Sequence, residues 1–139
     1  MKQDFAAARV VFGCGGAVVQ LPCAGVVDRF LTTEGELTAW LKGKNPIADY
    51  LCQNTICEAE SYAKGKAWSR VIWDVTAVAW LLNDNGRFMA FRIVKAPIPT
   101  DEGVYEFPKE DRPDLCYVHY VNRDALFTDL FVKLTGKGL

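Results

Sequence analysis

The residues best placed to do chemistry lie in one apolar stretch near the middle of the chain. Val71–Leu82 reads V-I-W-D-V-T-A-V-A-W-L-L, in which Asp74 and Thr76 are the polar exceptions. A carboxylate buried in such a run is costly unless something compensates its charge. Asp74 could cap a helix that begins at Val75, pair with a basic residue, or ligate a metal ion. The residues alone favour the cap, because aspartate is among the best N-cap residues.

Three side chains near Asp74 are candidates for contact with a ligand. Trp73 precedes it directly, and its indole could stack on a flat ligand or simply join the hydrophobic core. Trp68 and Arg70 lie just upstream and could border the same pocket, although such residues are more often part of an ordinary surface. His119 is the only histidine. In an alternating segment a lone histidine is usually a partly buried side chain, so we do not expect it to be catalytic.

Helices are predicted on both sides of this stretch. Asp4–Arg9 is a short Ala-rich start, and Val26–Leu31 is a second short helical run. The spacing of Thr33 and Glu36 predicts a capping box. Asn45-Pro46 has an N-cap residue followed by proline, which favours the first helical turn. Asn122 is expected to cap the last helix, whose apolar stripe ends at a glycine.

Strands are predicted where short apolar or alternating runs occur, and these indicate an α/β fold. The runs are Val10–Phe12, Ala17–Leu21, Phe88–Val94, Val104–Phe107 and Cys116–Val121. Helices between apolar strands early on, followed by a cluster of strands, indicate an α/β layer with a small mixed or antiparallel part. At 139 residues, with 50% hydrophobic and 24% charged side chains, the chain suits a single domain spanning 1–139.

Charge and cysteine usage exclude several classes of protein. The 16 basic and 17 acidic residues give a net charge of −1, so nothing favours nucleic acid or a membrane surface as partner. Met1–Asp4 lacks the apolar region of a signal peptide, and no apolar run approaches the ~20 residues of a membrane helix. Five cysteines without C-x-x-C spacing make a zinc site improbable. We expect them to be reduced and mostly buried, in a cytoplasmic protein.

The central stretch resembles the C-terminal active-site segment of the nucleoside hydrolases, the calcium-dependent N-ribohydrolases that cut nucleosides into base and ribose. In that family a short strand delivers a His-Asp or Trp-Asp pair to a buried helix with an Ala-Val-Ala-like run. Here the pair is Trp73-Asp74 and the run is Ala77–Ala79. Asp4–Phe12 resembles the family's D-x-x-A-A helix leading into a strand, and Asn122–Phe127 resembles its closing helix. The resemblance implies part of an open, mostly parallel, Rossmann-like sheet with the ligand site at the carboxyl ends of the strands.

The resemblance also implies roles for individual residues. Asp74 corresponds to the family's last calcium ligand, but calcium takes 6–8 oxygen ligands, so one aspartate is far too few. Trp73 takes the place at which purine-preferring members stack a tryptophan on the base. Trp68 and Arg70, just upstream, are the candidates that could border the same pocket. The implied substrate is a purine nucleoside, within the inosine-uridine-preferring group and its role in nucleoside salvage.

One family motif is missing from the sequence. The N-terminal cluster D-x-D-x-G-x-D-D, which supplies most of the calcium site and the catalytic base, does not occur. The nearest acidic groupings, Asp101-Glu102 and Glu110-Asp111, lack its spacing, so no catalytic residue is assigned. The chain thus resembles the C-terminal half of such an enzyme, inactive alone and dependent on an N-terminal-half partner. We expect the missing half to leave an apolar surface exposed, with self-association into a homo-oligomer or poor solubility. The alternative is a non-catalytic binding or assembly module that retains half of the fold.

Overall fold

The structure is a computed structural model, and it describes residues 4–109 and 111–136. Met1–Gln3, Glu110 and Lys137–Leu139 lie outside the described residues. Within them the helices are Phe5–Gly13 (α1), Glu34–Leu41 (α2), Pro46–Ala63 (α3), Val75–Leu81 (α4) and Arg123–Thr135 (α5). The strands are Val19–Gln20 (β1), Leu31–Thr32 (β2), Arg70–Val71 (β3), Met89–Lys95 (β4), Ile98–Pro99 (β5), Tyr105–Glu106 (β6) and Asp114–Val121 (β7). Short 3₁₀ turns occur at Val27–Arg29 and Asp84–Gly86. The predicted α/β class is confirmed.

The chain divides into two compact units that are discontinuous in sequence. Unit 1 comprises Met1–Pro22 and Ala90–Tyr120, and unit 2 comprises Cys23–Met89 and Val121–Leu139. This division concerns compactness and does not decide whether 1–139 is one domain, which stays a prediction. No described helix is long and apolar enough to cross a membrane.

Unit 1 is built on an open three-stranded sheet in the order β1-β7-β4. β1 runs parallel to β7, with Val19 opposite Cys116. β5 and β6 form a separate antiparallel pair. Phe12, Ala96 and Leu115 form the buried cluster of this unit. A parallel pair of strands so distant in sequence is typical of α/β folds.

The strand predicted at Val10–Phe12 is wrong, because these residues complete α1. The Asp4 carboxylate accepts the Ala7 N–H at 2.8 Å, so the Ala-rich segment starts with a formed N-cap. The helical cost of β-branched residues is only a few tenths of a kcal/mol each. A capped helix that buries Phe12 therefore extends through two valines, of which Val10 remains 70% exposed.

Unit 2 contains the strand pair that leads to the candidate site. β2 and β3 are antiparallel, with Leu31 opposite Val71 and Thr32 opposite Arg70. The helix predicted over Val26–Leu31 is therefore mostly wrong. Only a single 3₁₀ turn forms there, and Leu31 belongs to β2. The competing hydrogen bonds come from β3, about 40 residues further along the chain, which a local helical pattern does not reveal.

The predicted helix caps are largely confirmed. The amide oxygen of Asn45 accepts the Ala48 N–H at 2.9 Å, and that of Asn122 accepts the Ala125 N–H at 3.2 Å. Thr33 accepts from the Glu36 N–H at 3.4 Å, which is one half of a capping box. The other half does not form, because the side chain of Glu36 is engaged elsewhere in unit 2.

Aromatic stacking fills the core of unit 2. The rings of Phe30 and Phe127 lie 4.0 Å apart, and those of Phe127 and Phe131 lie 5.2 Å apart. Trp40 stacks on Phe131 at 5.6 Å. Phe127 of α5 thereby packs on Phe30, the residue that precedes β2, and fixes one end of the strand pair.

All five cysteines are free, but they are not mostly buried as expected. Cys14, Cys23 and Cys57 are exposed, Cys116 is half-buried and Cys52 is buried. Burial raises the pKa of the Cys116 thiol. The expectation rested on the general tendency of cysteine to be buried, which the positions of particular helices and turns override here.

Candidate active-site segment

The candidate site is the junction at which β3 passes into α4. The Ile72 N–H donates to the carbonyl of Phe30 at 3.0 Å, so the pairing with β2 continues one residue beyond β3. Trp73 and Asp74 follow, and α4 begins at Val75. The predicted arrangement, a short strand that delivers a Trp-Asp pair to a helix N-terminus, is confirmed.

The carboxylate of Asp74 does not cap α4, contrary to the expectation from residue type. Its backbone is helical, with φ −77° and ψ −24°, and among the described residues its side chain forms no capping bond. Residues that cap with their side chains usually have an extended backbone. The first N–H groups bond to main-chain carbonyls instead, Thr76 to Trp73 at 3.3 Å and Ala77 to Asp74 at 3.1 Å.

The side chain of Asp74 is exposed, so its charge does not need the compensating partner that a buried carboxylate would need. Burial of a carboxylate is costly, whereas an exposed one stays hydrated. No described residue forms an ion pair with it either. The junction therefore presents a hydrated carboxylate that is free to bind a cation or a hydroxyl group.

Trp73 lies beside this carboxylate and is outside the closed core, with 40% of its surface exposed. The main chain of Trp73 is held by Thr76. This residue is 2% exposed, and its hydroxyl donates to the Trp73 carbonyl at 2.7 Å. The second polar residue of the apolar stretch thus has a structural role. It fixes the backbone that carries the indole.

Arg70 is paired with α3, and Trp68 lines a pocket at the end of that helix. The guanidinium of Arg70 pairs with Glu58 at 2.8 Å, with both side chains partly exposed. Trp68 is half-buried and lines an open pocket of about 500 Å³ together with Glu60 and Lys64. Neither Trp73 nor Asp74 lines this pocket. Arg70 is therefore paired with α3, and Trp68 lines a pocket to which neither residue of the Trp73-Asp74 junction contributes.

Of the other acidic candidates, Asp101 and Asp111 form ion pairs within unit 1, and Glu110 lies outside the described residues. Asp101 accepts from Arg9 at 2.7 Å. Lys95 lies 3.0 Å from Asp111 and 3.1 Å from Asp114, and hydrogen bonds to both carboxylates raise the pKa of Lys95.

His119 is exposed on β7 rather than partly buried.

The described residues do not by themselves form a calcium site. No group of three or more histidine, cysteine or acidic side chains among them is arranged to hold a metal ion. Asp74 offers at most two oxygens, whereas calcium takes 6–8.

One positioning residue, Arg123, was not apparent from the sequence. Its Nε donates to the Leu31 carbonyl at 2.9 Å, while its Nη2 pairs with Glu36 at 2.5 Å. Its guanidinium lies over the ring of Phe127, 4.6 Å from the centroid. Burial alone lowers the pKa of Arg123, but hydrogen bonds to Glu36 and Asp124 outweigh it and the pKa is raised.

The Arg123 guanidinium thus links the start of α5 to β2. β2 pairs with β3, the strand that leads to Trp73. The contact spans 92 positions of sequence, so no local pattern indicates it.

Comparison with known proteins gives a fold but no family assignment. No protein-family model matches the chain, and no curated protein matches it. A solved structure of a plant nucleoside hydrolase, the PpNRh1 enzyme, is similar over 96% of this chain, with a TM-score of 0.76 and 16% sequence identity. This chain covers 46% of that structure, less than half its length. The chain therefore has a nucleoside hydrolase-like fold and spans less than half the length of the similar structure.

Proposed function

We propose that this chain is the C-terminal portion of a nucleoside hydrolase that cleaves the N-glycosidic bond of purine nucleosides to base and ribose. The observation that carries the proposal is the fold likeness to the plant enzyme over 96% of the chain. The Trp73-Asp74 junction supports it, because the resemblance in sequence predicted this pair at a helix N-terminus. Free cysteines are compatible with a cytoplasmic enzyme of nucleoside salvage.

In this proposal Trp73 binds the base. Its partly exposed ring offers a flat apolar surface, and stacking a base on an aromatic side chain contributes about 1–3 kcal/mol. The indole face also favours a base that has gained a proton, through a cation–π interaction. A protonated base leaves as a neutral group, which helps the ribosyl carbon reach an oxocarbenium-like transition state before water adds to it.

Asp74 is proposed as the one cation ligand that the described chain contributes to this site. Its carboxylate is exposed and has no partner among the described residues, so binding does not require breaking an existing interaction. The remaining oxygens and the catalytic base are assigned to the part of the fold that this chain does not cover. Trp68 and Arg70 remain secondary candidates for substrate contact. Arg70 is paired with Glu58 of α3, and Trp68 lines a pocket that includes neither Trp73 nor Asp74.

Base preference tests the role of Trp73. The assay adds a complementary segment, defined as a polypeptide that carries the D-x-D-x-G-x-D-D cluster and the part of a nucleoside hydrolase that this chain does not span. With it, we expect Trp73→Ala to lower kcat/KM for inosine by roughly 5–150-fold, the equivalent of the lost stacking. Trp73→Phe should retain most of the activity, and uridine should be affected less because its base has one ring.

Tyr62→Ala is the matched control, because Tyr62 is an aromatic residue 57% exposed on α3 of the same unit. Tyr62→Ala should leave kcat/KM unchanged for both inosine and uridine. Equal losses for inosine and uridine, or a comparable loss in Tyr62→Ala, would show that Trp73 does not select the base.

A further inference from the structure

A cavity of about 170 Å³ lies in unit 2 between α2, α3 and α5. Among the described residues, its lining consists of aliphatic and phenylalanine side chains apart from Thr32 and Thr55. The lining residues on α2 are buried, whereas Leu51 on α3 and Leu130 and Leu134 on α5 are half-buried. The cavity therefore reaches from the core of the unit to its surface, so a small molecule has a way in.

The cavity is larger than the spaces that an ordinary core contains. Protein interiors are close-packed, and few of their voids exceed the size of a water molecule. The atoms around an empty void lose contacts on one side, so the free energy of unfolding falls as the void grows. A space of this size is therefore destabilising when it is empty and stabilising when a molecule that matches its lining fills it.

Water does not match this lining. A buried water molecule typically forms about three hydrogen bonds to polar groups around it. Thr32 is fully buried, and its hydroxyl already donates to the Glu36 carboxylate at 2.7 Å. Apart from Thr55, the other described side chains of the lining have no polar atom. The matching occupant is therefore apolar.

We propose that this cavity is a binding site for a small apolar molecule of the size of a single-ring hydrocarbon. An apolar cavity of about 150 Å³ engineered in another protein stays dry and binds benzene, so the volume here suits the same class of ligand. Ile72 and Val75 line the cavity on either side of the Trp73-Asp74 junction, whereas Trp73 and Asp74 do not line it. The occupant thus contacts the segment that holds this pair without taking its place.

Binding of benzene to the 139-residue chain tests the inference. A ligand that binds only the folded chain lowers the equilibrium constant of unfolding, by about elevenfold at ten times its dissociation constant. We expect benzene to raise the melting temperature measured by differential scanning calorimetry until the site is saturated, with one molecule bound per chain. Phenol should raise it less, because burial of its hydroxyl in an apolar site is costly.

Filling the cavity from its wall locates the binding site. Thr55→Leu adds apolar volume from a half-buried position on α3, and we expect it to weaken benzene binding by roughly tenfold or more, since a filled cavity leaves no room for the ring. The matched control is Thr128→Leu, because Thr128 is exposed on α5 of the same unit and does not line this cavity. It should change the affinity for benzene less than about twofold.

Enlarging the cavity gives a second test that does not depend on the folding of Thr55→Leu. Leu51→Ala removes apolar volume from the lining, and the variant should bind n-propylbenzene roughly tenfold more tightly than the unmodified chain does. The reason is that the enlarged cavity buries methylene groups of the longer ligand that the original one leaves outside.

The outcomes decide the inference separately from the proposed function, because none of them involves nucleoside hydrolysis. Saturable binding of benzene that Thr55→Leu weakens and Thr128→Leu preserves supports the assignment. No benzene-dependent rise in melting temperature, equal losses in the two threonine variants, or equal affinity of Leu51→Ala and the unmodified chain for n-propylbenzene overturns it. Self-association of the chain that benzene dissociates also overturns it, since a side chain of a second copy then fills the cavity.

Discussion

The 139-residue chain alone is expected to hydrolyse inosine at least about 10²–10⁴-fold more slowly than the same chain with the complementary segment. That factor is the contribution of a general base alone, and no such base is assigned in this chain. Metal-assisted attack additionally needs a held cation, an oriented water and a stabilised leaving group. Of these parts, the chain supplies one candidate cation ligand, Asp74, and one candidate residue for binding the nucleobase that leaves, Trp73.

The measurement is release of hypoxanthine from inosine in the presence of calcium, with the chain and the complementary segment each assayed alone and then together. Neither component alone should show turnover above background. Turnover by the chain alone at the rate of the mixture would mean that its own residues include a base and a complete site, and the proposed division of the active site would be wrong.

Phe127→Ala is expected to lower the free energy of unfolding by about 3–5 kcal/mol, the usual cost of removing a buried phenylalanine ring. Phe127 is 2% exposed and stacks between Phe30 and Phe131. Its loss leaves a cavity in the core of unit 2 and also removes the ring beneath the Arg123 guanidinium. Since Arg123 bonds to β2, the strand pair that carries Trp73 should loosen together with the core.

Urea unfolding followed by tryptophan fluorescence measures this change. Phe107→Ala is the control, because Phe107 is 72% exposed. Substitutions at exposed positions usually stay within about 0.5 kcal/mol. A loss below about 1 kcal/mol in Phe127→Ala would show that the stacked rings are not the centre of the core.

Features set by local chemistry could be predicted from the sequence. The amide caps at Asn45 and Asn122 each involve an N–H three residues away, so residue type and spacing were sufficient. The start of α4 at Val75 was also predicted, but from a side-chain cap by Asp74 that does not form. The detailed conformation was not, because a helical backbone at Asp74 turns its carboxylate away from the cap and into solvent.

Features set by distant contacts could not be predicted. The pairing of β2 with β3 and the bonds of Arg123 to Leu31 and Glu36 join segments far apart in sequence. These contacts decide where Trp73 and Asp74 stand. The resemblance to nucleoside hydrolases was more informative about the fold than the periodicity of the chain, and the likeness to the solved plant enzyme supports the predicted fold. The roles of Trp73 and Asp74 in a site stay predictions.

Calcium-dependent hydrolysis by an Asp74→Asn variant, with the complementary segment present, tests the central claim most directly. The change keeps the size of the side chain and removes its charge, while Asp84→Asn provides a control at an exposed carboxylate beyond the other end of α4. Loss of even an indirect partner of a metal typically costs about 10–100-fold in affinity or activity. Asp74→Asn should lose at least that much activity and require more calcium, whereas Asp84→Asn should keep the activity and calcium requirement of the unmodified chain. Full activity with an unaltered calcium requirement in Asp74→Asn would contradict the assignment of the Trp73-Asp74 junction to the active site.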